Sequence, residues 1–455
     1  MATMKSRISR GTRLGLVVGL GLSVMAISAC ASSTPPASTG STGATGATGQ
    51  SSAALSGQLQ ILVSSADASD AAFKDVNAAF QAQYPNVNVV FSSVPNDQYP
   101  AAQSSRLTAA NVDIVVAQAM VNVPSYATGA ESNDAQLAAA GGFVDLTNEA
   151  FMQNYNQSVL DSIKFSGRNY SVPTGLSYYS GVYYNKAMFA KYNLSVPTTW
   201  SQFVTVCQTL QNAGIIPLGI GGKDQWPAGL PETSAVQGVY PDTASKQQLM
   251  QDLWTQKAKL TDPGPLKVLQ TVQQIYNFAD PSFAGIAYAD IPAAFAKGTY
   301  AMTPDGTWNS PVIASAVNGA FDFGYFPIPT SDNAADNQFL NGKVELQLAV
   351  PSNAPDKDAA LAWLSFFSQK DTYTKFVAEA GFAPTQPGID AGAFLNSIAS
   401  YTSTFLPGWD QIWVPNPNSG QAASEPFNVY DLTPMGTLDP NGAAAQAQQD
   451  WAAGF

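Results

Sequence analysis

The stretch LQILVSSADASDAAFKDVNAAFQAQYPNVNVVFSSV, residues 59–94, decides the fold. Apolar residues run almost without interruption over 59–63 and again over 87–91, which is typical of strands buried on both faces of a parallel sheet. The segment between these runs carries apolar residues at helical spacing, namely Phe73, Val76 and Phe80. A strand, a helix and a strand in this order predict a right-handed crossover between two parallel strands.

Polar side chains follow the predicted strands. Ser65 and Asp67 come after the first strand, and Gln118 ends a third apolar run, residues 112–118. In open parallel sheets, ligands bind beyond the carboxyl ends of the strands. We therefore predict an α/β fold with central, mostly parallel sheets flanked by helices, and we take these three side chains as candidate ligand contacts.

The composition excludes several classes of function. The 455 residues are too many for one small core, so two or more lobes are expected. Acidic residues number 32 against 20 basic ones, which argues against a nucleic-acid partner, because that partner requires clustered cations. The chain has no histidine, so it lacks both the Ser-His-Asp triad and the commonest zinc ligand. Neither a metal nor a cofactor is expected.

The first residues have the pattern of an export signal. A basic start is followed by an apolar run over residues 14–27, which is too short for a comfortable membrane span. The sequence ISAC that ends at Cys30 resembles the lipobox of bacterial lipoproteins. We predict a signal peptide over residues 1–29 and a flexible Ser/Thr/Gly/Ala tether over 30–57. Lipid on Cys30 would anchor the exported protein to the outer face of the cytoplasmic membrane.

The run YSVPTGLSYYSGVYYNKAMFAKYNLSVPTTWSQF, residues 170–203, resembles the bacterial extracellular solute-binding proteins of the sugar-binding, maltose-binding-protein-like family. Further matching segments are AGIIPLGIGG at 213–222, FAKGTYAMTPDGTW at 295–308 and FDFGYFPIP at 321–329. Members of this family are receptors of ABC importers. The resemblance implies a monomeric, two-lobed α/β receptor without enzymatic activity. Its lobes would be joined by about three crossings, close on a sugar and deliver it to a permease.

Three segments are predicted to cross between the lobes. They are residues 176–185, 299–306 and 344–352, of which the first two are bordered by the candidate hinge residues Gly175 and Gly306. The expected first lobe comprises residues 58–176 and 304–345. The expected second lobe comprises residues 177–303 and 346–455.

Two Trp–Asp pairs are the leading candidates for sugar contact. A pyranose has an apolar C–H face and a rim of hydroxyls, so it needs an aromatic platform beside hydrogen-bond acceptors. Trp308 follows Asp305 at the end of a predicted strand, and Trp226 follows Asp224 in a Gly- and Pro-rich loop. The alternative for Trp308 is a core side chain at the exit of a strand.

Other candidates depend on position alone. Tyr178 and Tyr179 lie on the first crossing, where alternation lets only one of them face a cleft. Glu345 on the third crossing is a candidate hydroxyl acceptor, with a surface charge as the alternative. Trp409 is a further candidate, although its spacing of four from Trp413 also fits a core pair on one helix face.

Three other classes of function stay open on the sequence. A glycoside hydrolase also uses tryptophan platforms and two carboxylates. A ferric-ion receptor could use the adjacent tyrosine pairs 178–179 and 183–184, since phenolate and carboxylate suit a hard metal. An adhesion or structural lipoprotein would need no hinged cleft.

Overall fold

The computed structural model describes residues 55–64, 66–118, 120–420 and 426–455. The predicted signal peptide, Cys30, Ser65 and all but the end of the predicted tether lie outside these residues. Asp67 is the first residue of a helix. In the part of the chain that the structure describes, no helix combines the length and the apolar character needed to cross a bilayer.

The chain alternates strands and helices over most of its length. The strands are β1 Gly57–Ser64, β2 Val87–Val94, β3 Ile114–Ala117, β4 Ser171–Tyr178, β5 Gly181–Asn185, β6 Ile216–Leu218, β7 Tyr300–Asp305, β8 Phe323–Pro327, β9 Asn341–Ala349 and β10 Leu406–Pro407. The first nine helices are α1 Asp67–Gln83, α2 Tyr99–Thr108, α3 Asn133–Ala139, α4 Gln157–Ser162, α5 Lys186–Lys191, α6 Trp200–Asn212, α7 Trp226–Val239, α8 Thr243–Trp254 and α9 Pro263–Tyr276. The later helices are α10 Ile291–Ala296, α11 Ser310–Val317, α12 Lys357–Phe367, α13 Lys370–Ala380, α14 Gly392–Ser397, α15 Ala399–Thr402, α16 Trp409–Ile412 and α17 Pro440–Ala452.

The first sheet has the strand order β10-β9-β3-β1-β2, and β4 also pairs with β9. Strands β1, β2 and β3 are parallel, which confirms the strand–helix–strand prediction for residues 59–94. Strand β9 runs antiparallel to both β3 and β4. Helices α1, α12 and α13 pack on this sheet, where Phe73 of α1 lies 4.8 Å from Phe376 of α13 between ring centres. We call this buried cluster the first core.

The second sheet has the strand order β6-β7-β5-β8. Strand β5 lies between β7 and β8 and runs antiparallel to both. Helix α11 connects β7 to β8 across β5, so β7 and β8 run in the same direction. Only the β6–β7 pair of this sheet is parallel in the described residues. Helices α6, α7, α9 and α17 supply many of the buried apolar residues around this sheet, and we call the whole buried cluster the second core.

The sheets and cores divide the chain differently from the predicted lobes. Residues 304–345 were expected in the first lobe, but β8 belongs to the second sheet. Residues 346–455 were expected in the second lobe, but α12 and α13 pack in the first core. The sheets divide the chain in another way because hydrophobic periodicity identifies a strand but not the strands beside it. The division into two hinged lobes stays a prediction.

Only two residues connect the two sheets at the first predicted crossing. Strand β4 ends at Tyr178 in the first sheet, and β5 begins at Gly181 in the second. Strand β7 of the second sheet ends close by, since the Thr307 hydroxyl accepts a hydrogen bond from the Tyr178 backbone amide at 3.1 Å. This connection between the sheets is therefore short, and the ends of β4 and β7 lie close together.

Candidate functional site

Four aromatic side chains meet near these strand ends. The ring centres of Trp226 and Tyr288 are 4.6 Å apart, those of Trp226 and Trp308 are 6.2 Å apart, and those of Trp308 and Tyr179 are 5.9 Å apart. Tyr179 is buried, whereas the other three are half-buried. We call these four residues the aromatic cluster. Two sequence-predicted tryptophans, 82 residues apart in the chain, thus share one surface.

The two tryptophans reach the aromatic cluster from different cores. Trp226 begins α7, several of whose buried residues belong to the second core, and the preceding Gln225 has a positive φ of 62°. Trp308 lies in the turn that follows β7 and packs against the first core. Gly306 is needed in this turn, because a Cβ there would overlap the Trp308 ring. The aromatic cluster therefore lies where the two cores meet.

Asp305 is fully buried beneath the aromatic cluster. Its Oδ1 accepts hydrogen bonds from the Gly306 amide at 2.7 Å and from the Tyr288 hydroxyl at 3.0 Å, and its Oδ2 accepts one from the Asn309 side chain at 2.6 Å. Burial raises the pKa of Asp305 to about 7, although these donors act to lower it. Asp305 thus positions the aromatic cluster through its hydrogen bond with the Tyr288 hydroxyl.

The Tyr288 hydroxyl connects this carboxyl group to the tryptophan platform. It accepts a hydrogen bond from Trp308 Nε1 at 3.2 Å and donates one to Asp305. The backbone amide of Tyr288 donates to Asp224 Oδ2 at 2.7 Å, and the Asp224 side chain is exposed. Both predicted aspartates therefore hold Tyr288, a residue that the sequence analysis missed.

Charged groups lie on the Tyr179 side of the cluster. Lys343 Nζ is 5.1 Å from the Trp308 ring centre and 5.9 Å from the Tyr179 ring centre. It also forms an ion pair with Glu345 Oε1 at 3.4 Å. The hydroxyl of Tyr179 donates a hydrogen bond to Asp410. The structure thus adds Lys343 and Asp410 to the predicted Glu345.

Lys343 and Glu345 could have been found together from the sequence. They are two residues apart on β9, so their side chains lie on one face of the strand. Asp410 had a weaker signal, its place next to Trp409, and Tyr288 had none beyond its residue type. Their contacts join segments that are far apart in the chain, and local sequence patterns do not specify such contacts.

The remaining candidates lie elsewhere. Tyr178 is buried next to Phe405, with 6.4 Å between ring centres, so Tyr179 is the member of this pair that joins the cluster. The Gln118 backbone amide donates to Asp134 at 2.7 Å, and Gln118 lines a groove of about 630 Å³ between α2 and α3. Trp409 is buried in the second core, which favours its alternative reading as a core side chain.

The donor set of the described chain does not resemble a metal centre. Among the described residues, no group of three or more His, Cys, Asp or Glu side chains is placed to hold a metal ion. Burial raises the pKa of Tyr178, Tyr179, Tyr183 and Tyr184, in two cases well above the ordinary value. Burial therefore disfavours the phenolate form that a tyrosine–iron site requires.

Comparison with known proteins identifies a family for this chain. The model of the bacterial extracellular solute-binding protein family matches residues 64–373. A multiple sugar-binding protein of Streptococcus mutans is 22% identical over 318 residues, which are 68% of this chain and 70% of that protein.

Solved structures confirm the predicted fold class. The GacH receptor of Streptomyces glaucescens has a TM-score of 0.67 and 18% identity, over 87% of this chain and 98% of that one. A sugar transporter protein of Bacillus licheniformis in complex with stachyose has a TM-score of 0.69 and 15% identity, over 88% of this chain and all of that one. These structural likenesses show the fold. The family model matches more than half of the chain, and we therefore conclude that the chain belongs to the bacterial extracellular solute-binding protein family.

Proposed function

We propose that the protein is an extracellular receptor that binds a sugar at the aromatic cluster and delivers it to the permease of an ABC importer. The observation that carries this proposal is the pair Trp226 and Trp308, which reach one surface from two cores. Both rings keep part of their surface exposed. A partly exposed aromatic pair bordered by a few polar groups is the usual form of a small-molecule site.

The chemistry around the platform suits a pyranose. The indole faces of Trp226 and Trp308 are apolar, as is the C–H face of a sugar ring, and burying such surface contributes about 25 cal/mol per Å². Carboxylates of Asp224, Glu345 and Asp410 border the rings and accept hydrogen bonds. A hydrogen bond from a sugar hydroxyl to a charged acceptor contributes roughly 1.5–3 kcal/mol.

Receptors of this kind act through equilibrium binding rather than catalysis. A ligand that contacts groups from both cores favours the closed arrangement of the protein, and a permease can distinguish that arrangement from the open one. The known ligands of similar proteins support a sugar: the Bacillus licheniformis protein was solved with stachyose. A lipid on Cys30 would keep the receptor at the membrane surface beside its permease.

Tryptophan fluorescence tests the proposed function directly. Trp226 and Trp308 lie in the proposed site, so we expect a saturable change in emission when a neutral mono- or oligosaccharide from a panel is added. The same sugar should raise the unfolding temperature, because a ligand that binds only the folded state stabilises it. A visible absorption band with ferric ion, or release of reducing ends from an oligosaccharide, would contradict the proposal.

A further inference from the structure

A cation already lies in the proposed sugar site. Lys343 Nζ is 5.1 Å from the centre of the Trp308 ring and 5.9 Å from that of Tyr179, and the two ring centres are themselves 5.9 Å apart. These three points form a nearly equilateral triangle, with the ammonium over two rings inclined at 35° to each other. Both distances fall within the range at which an aromatic ring attracts a cation.

A fixed carboxylate completes the surroundings of this ammonium. Glu345 Oε1 lies 3.4 Å from Lys343 Nζ, and the Glu345 side chain is only 7% exposed. The hydroxyl of Ser177 also donates to Glu345, which holds the carboxylate in place. The Lys343 side chain is 33% exposed, so the lysine is the more solvent-accessible partner. Two rings and one carboxylate thus form a position for an ammonium group, which we call the ammonium position.

The charge balance favours a positive ligand at this position. Carboxyl groups of Asp224, Glu345 and Asp410 border the aromatic cluster, whereas Lys343 is the lysine that lies over its rings. A neutral sugar that displaced Lys343 would leave the mostly buried Glu345 without its cation, which is costly. A sugar with its own ammonium would replace both the charge and the contact with the rings.

We propose that, without ligand, the Lys343 ammonium occupies the position that a ligand ammonium takes, and that the solute is a sugar carrying a protonated primary amine. This inference rests on the proposed function and names the class of sugar. The ligand amine takes the ammonium position between Trp308, Tyr179 and Glu345, and Lys343 turns outward on its flexible stem. Lys343 then sets specificity, because a ligand has to compete with an internal ammonium.

Chemical rescue tests the ammonium position without any sugar. The substitution Lys343→Ala removes three carbons and the ammonium, which n-propylammonium replaces. We expect a saturable change in the tryptophan fluorescence of Lys343→Ala with n-propylammonium chloride, and none with wild type or with neutral n-propanol. The double variant Lys343→Ala/Glu345→Gln should bind this probe about tenfold more weakly, as expected for loss of one partly desolvated ionic contact.

The chain offers a matched control for this rescue. Lys191 Nζ lies 5.1 Å from the ring centre of Tyr192, so it is another lysine over a tyrosine, but away from the aromatic cluster. Lys191→Ala should respond to n-propylammonium as wild type does. Equal responses of Lys343→Ala, Lys191→Ala and wild type, or an equal response of Lys343→Ala to n-propanol, would overturn the ammonium position.

Matched sugars test the ligand class. Glucose, N-acetylglucosamine and glucosamine differ only in the substituent at C2, as do the galactose analogues. Acetylated and deacetylated chito-oligosaccharides differ in that substituent on each residue. We expect the amine to bind about tenfold more tightly than its hydroxyl or acetamide counterpart in at least one series, and Lys343→Ala to widen that preference.

The outcomes separate this inference from the proposed function. If sugars bind but the amine gives no advantage in any series that binds, the amine-sugar class is wrong and the sugar receptor stands. If no sugar of any charge binds, the proposed function itself fails, and the assignment of an amino sugar fails with it.

Discussion

Two of the neighbouring tryptophan pairs among the described residues have similar ring geometry and different surroundings. The ring centres of Trp226 and Trp308 are 6.2 Å apart at 57°, and those of Trp409 and Trp413 are 5.5 Å apart at 40°. The first pair is half-buried, whereas Trp409 and Trp413 are 3% and 8% exposed. Distance between rings therefore does not distinguish a binding platform from a core pair.

The polar partners of the rings do distinguish them. Trp308 Nε1 donates to a hydroxyl that in turn donates to the buried Asp305. Trp409 packs against Phe427 at 5.8 Å between ring centres, and its buried Nε1 has no hydrogen-bond partner among the described residues. An indole held by polar groups at a partly open surface is oriented for a ligand, and one surrounded by apolar rings contributes packing.

The largest expected effect is on stability, at the buried pair. Trp409→Ala removes a nearly fully buried indole, and we expect it to lower the free energy of unfolding by about 3–5 kcal/mol. Trp409→Phe, which keeps an aromatic ring, should cost less. Urea unfolding followed by circular dichroism measures both variants. A Trp409→Ala protein as stable as wild type would show that Trp409 is not a core side chain.

The second effect is on binding, at the half-buried pair. We expect Trp226→Ala and Trp308→Ala each to weaken sugar binding by more than about tenfold, or about 1.4 kcal/mol, with the circular dichroism spectrum unchanged. Calorimetric titration with a sugar identified by the panel measures this loss.

Trp200 provides the matched control for these variants. It is also half-buried and stacks on another ring, Phe203, at 5.9 Å, but it lies on the outside of the second core. Trp200→Ala should therefore bind sugar as wild type does. Normal binding by both Trp226→Ala and Trp308→Ala would refute the assignment of the site.

The sequence predicted the elements of the fold better than their arrangement. Local periodicity is enough to identify β1, α1 and β2, because a buried strand and an amphipathic helix have different spacings. The sheet to which β8 belongs depends on contacts between distant segments, so the predicted lobe bounds do not follow the sheets there. The same limit applies to Tyr288, which reaches the site only because Asp224 and Asp305 hold it.

A third prediction concerns pH and the support beneath the platform. Burial raises the folded-state pKa of Asp305 to about 7, whereas an unfolded aspartate has a pKa of about 3.9. The folded protein therefore binds the proton more tightly, and this contribution to stability is complete below about pH 4 and lost as the pH rises to about 7. Asp305→Asn cannot ionise, so its unfolding temperature should fall less over this interval than that of wild type.

Differential scanning fluorimetry from pH 4 to 8 measures that difference in slope. The exposed Asp358 on α12 is a matched control, and Asp358→Asn should keep the slope of wild type. Parallel curves for wild type and Asp305→Asn would show that Asp305 does not titrate in this range.

The smallest effect is expected at Tyr288, whose ring packs against Trp226 and whose hydroxyl links Trp308 to Asp305. Tyr288→Phe keeps the ring that lies 4.6 Å from Trp226 and removes the hydroxyl between Trp308 Nε1 and Asp305. Loss of one such hydroxyl costs about 1 kcal/mol, so sugar binding should weaken by only a few fold. The carboxylate also loses a donor that lowers its pKa, so the fall in stability attributed to Asp305 should move to higher pH. If Tyr288 contributed only the packing of its ring, Tyr288→Phe would leave that pH unchanged, because the variant keeps the ring. The pH profile therefore shows whether hydrogen bonds orient Trp308 or whether packing alone holds it, as packing holds Trp409.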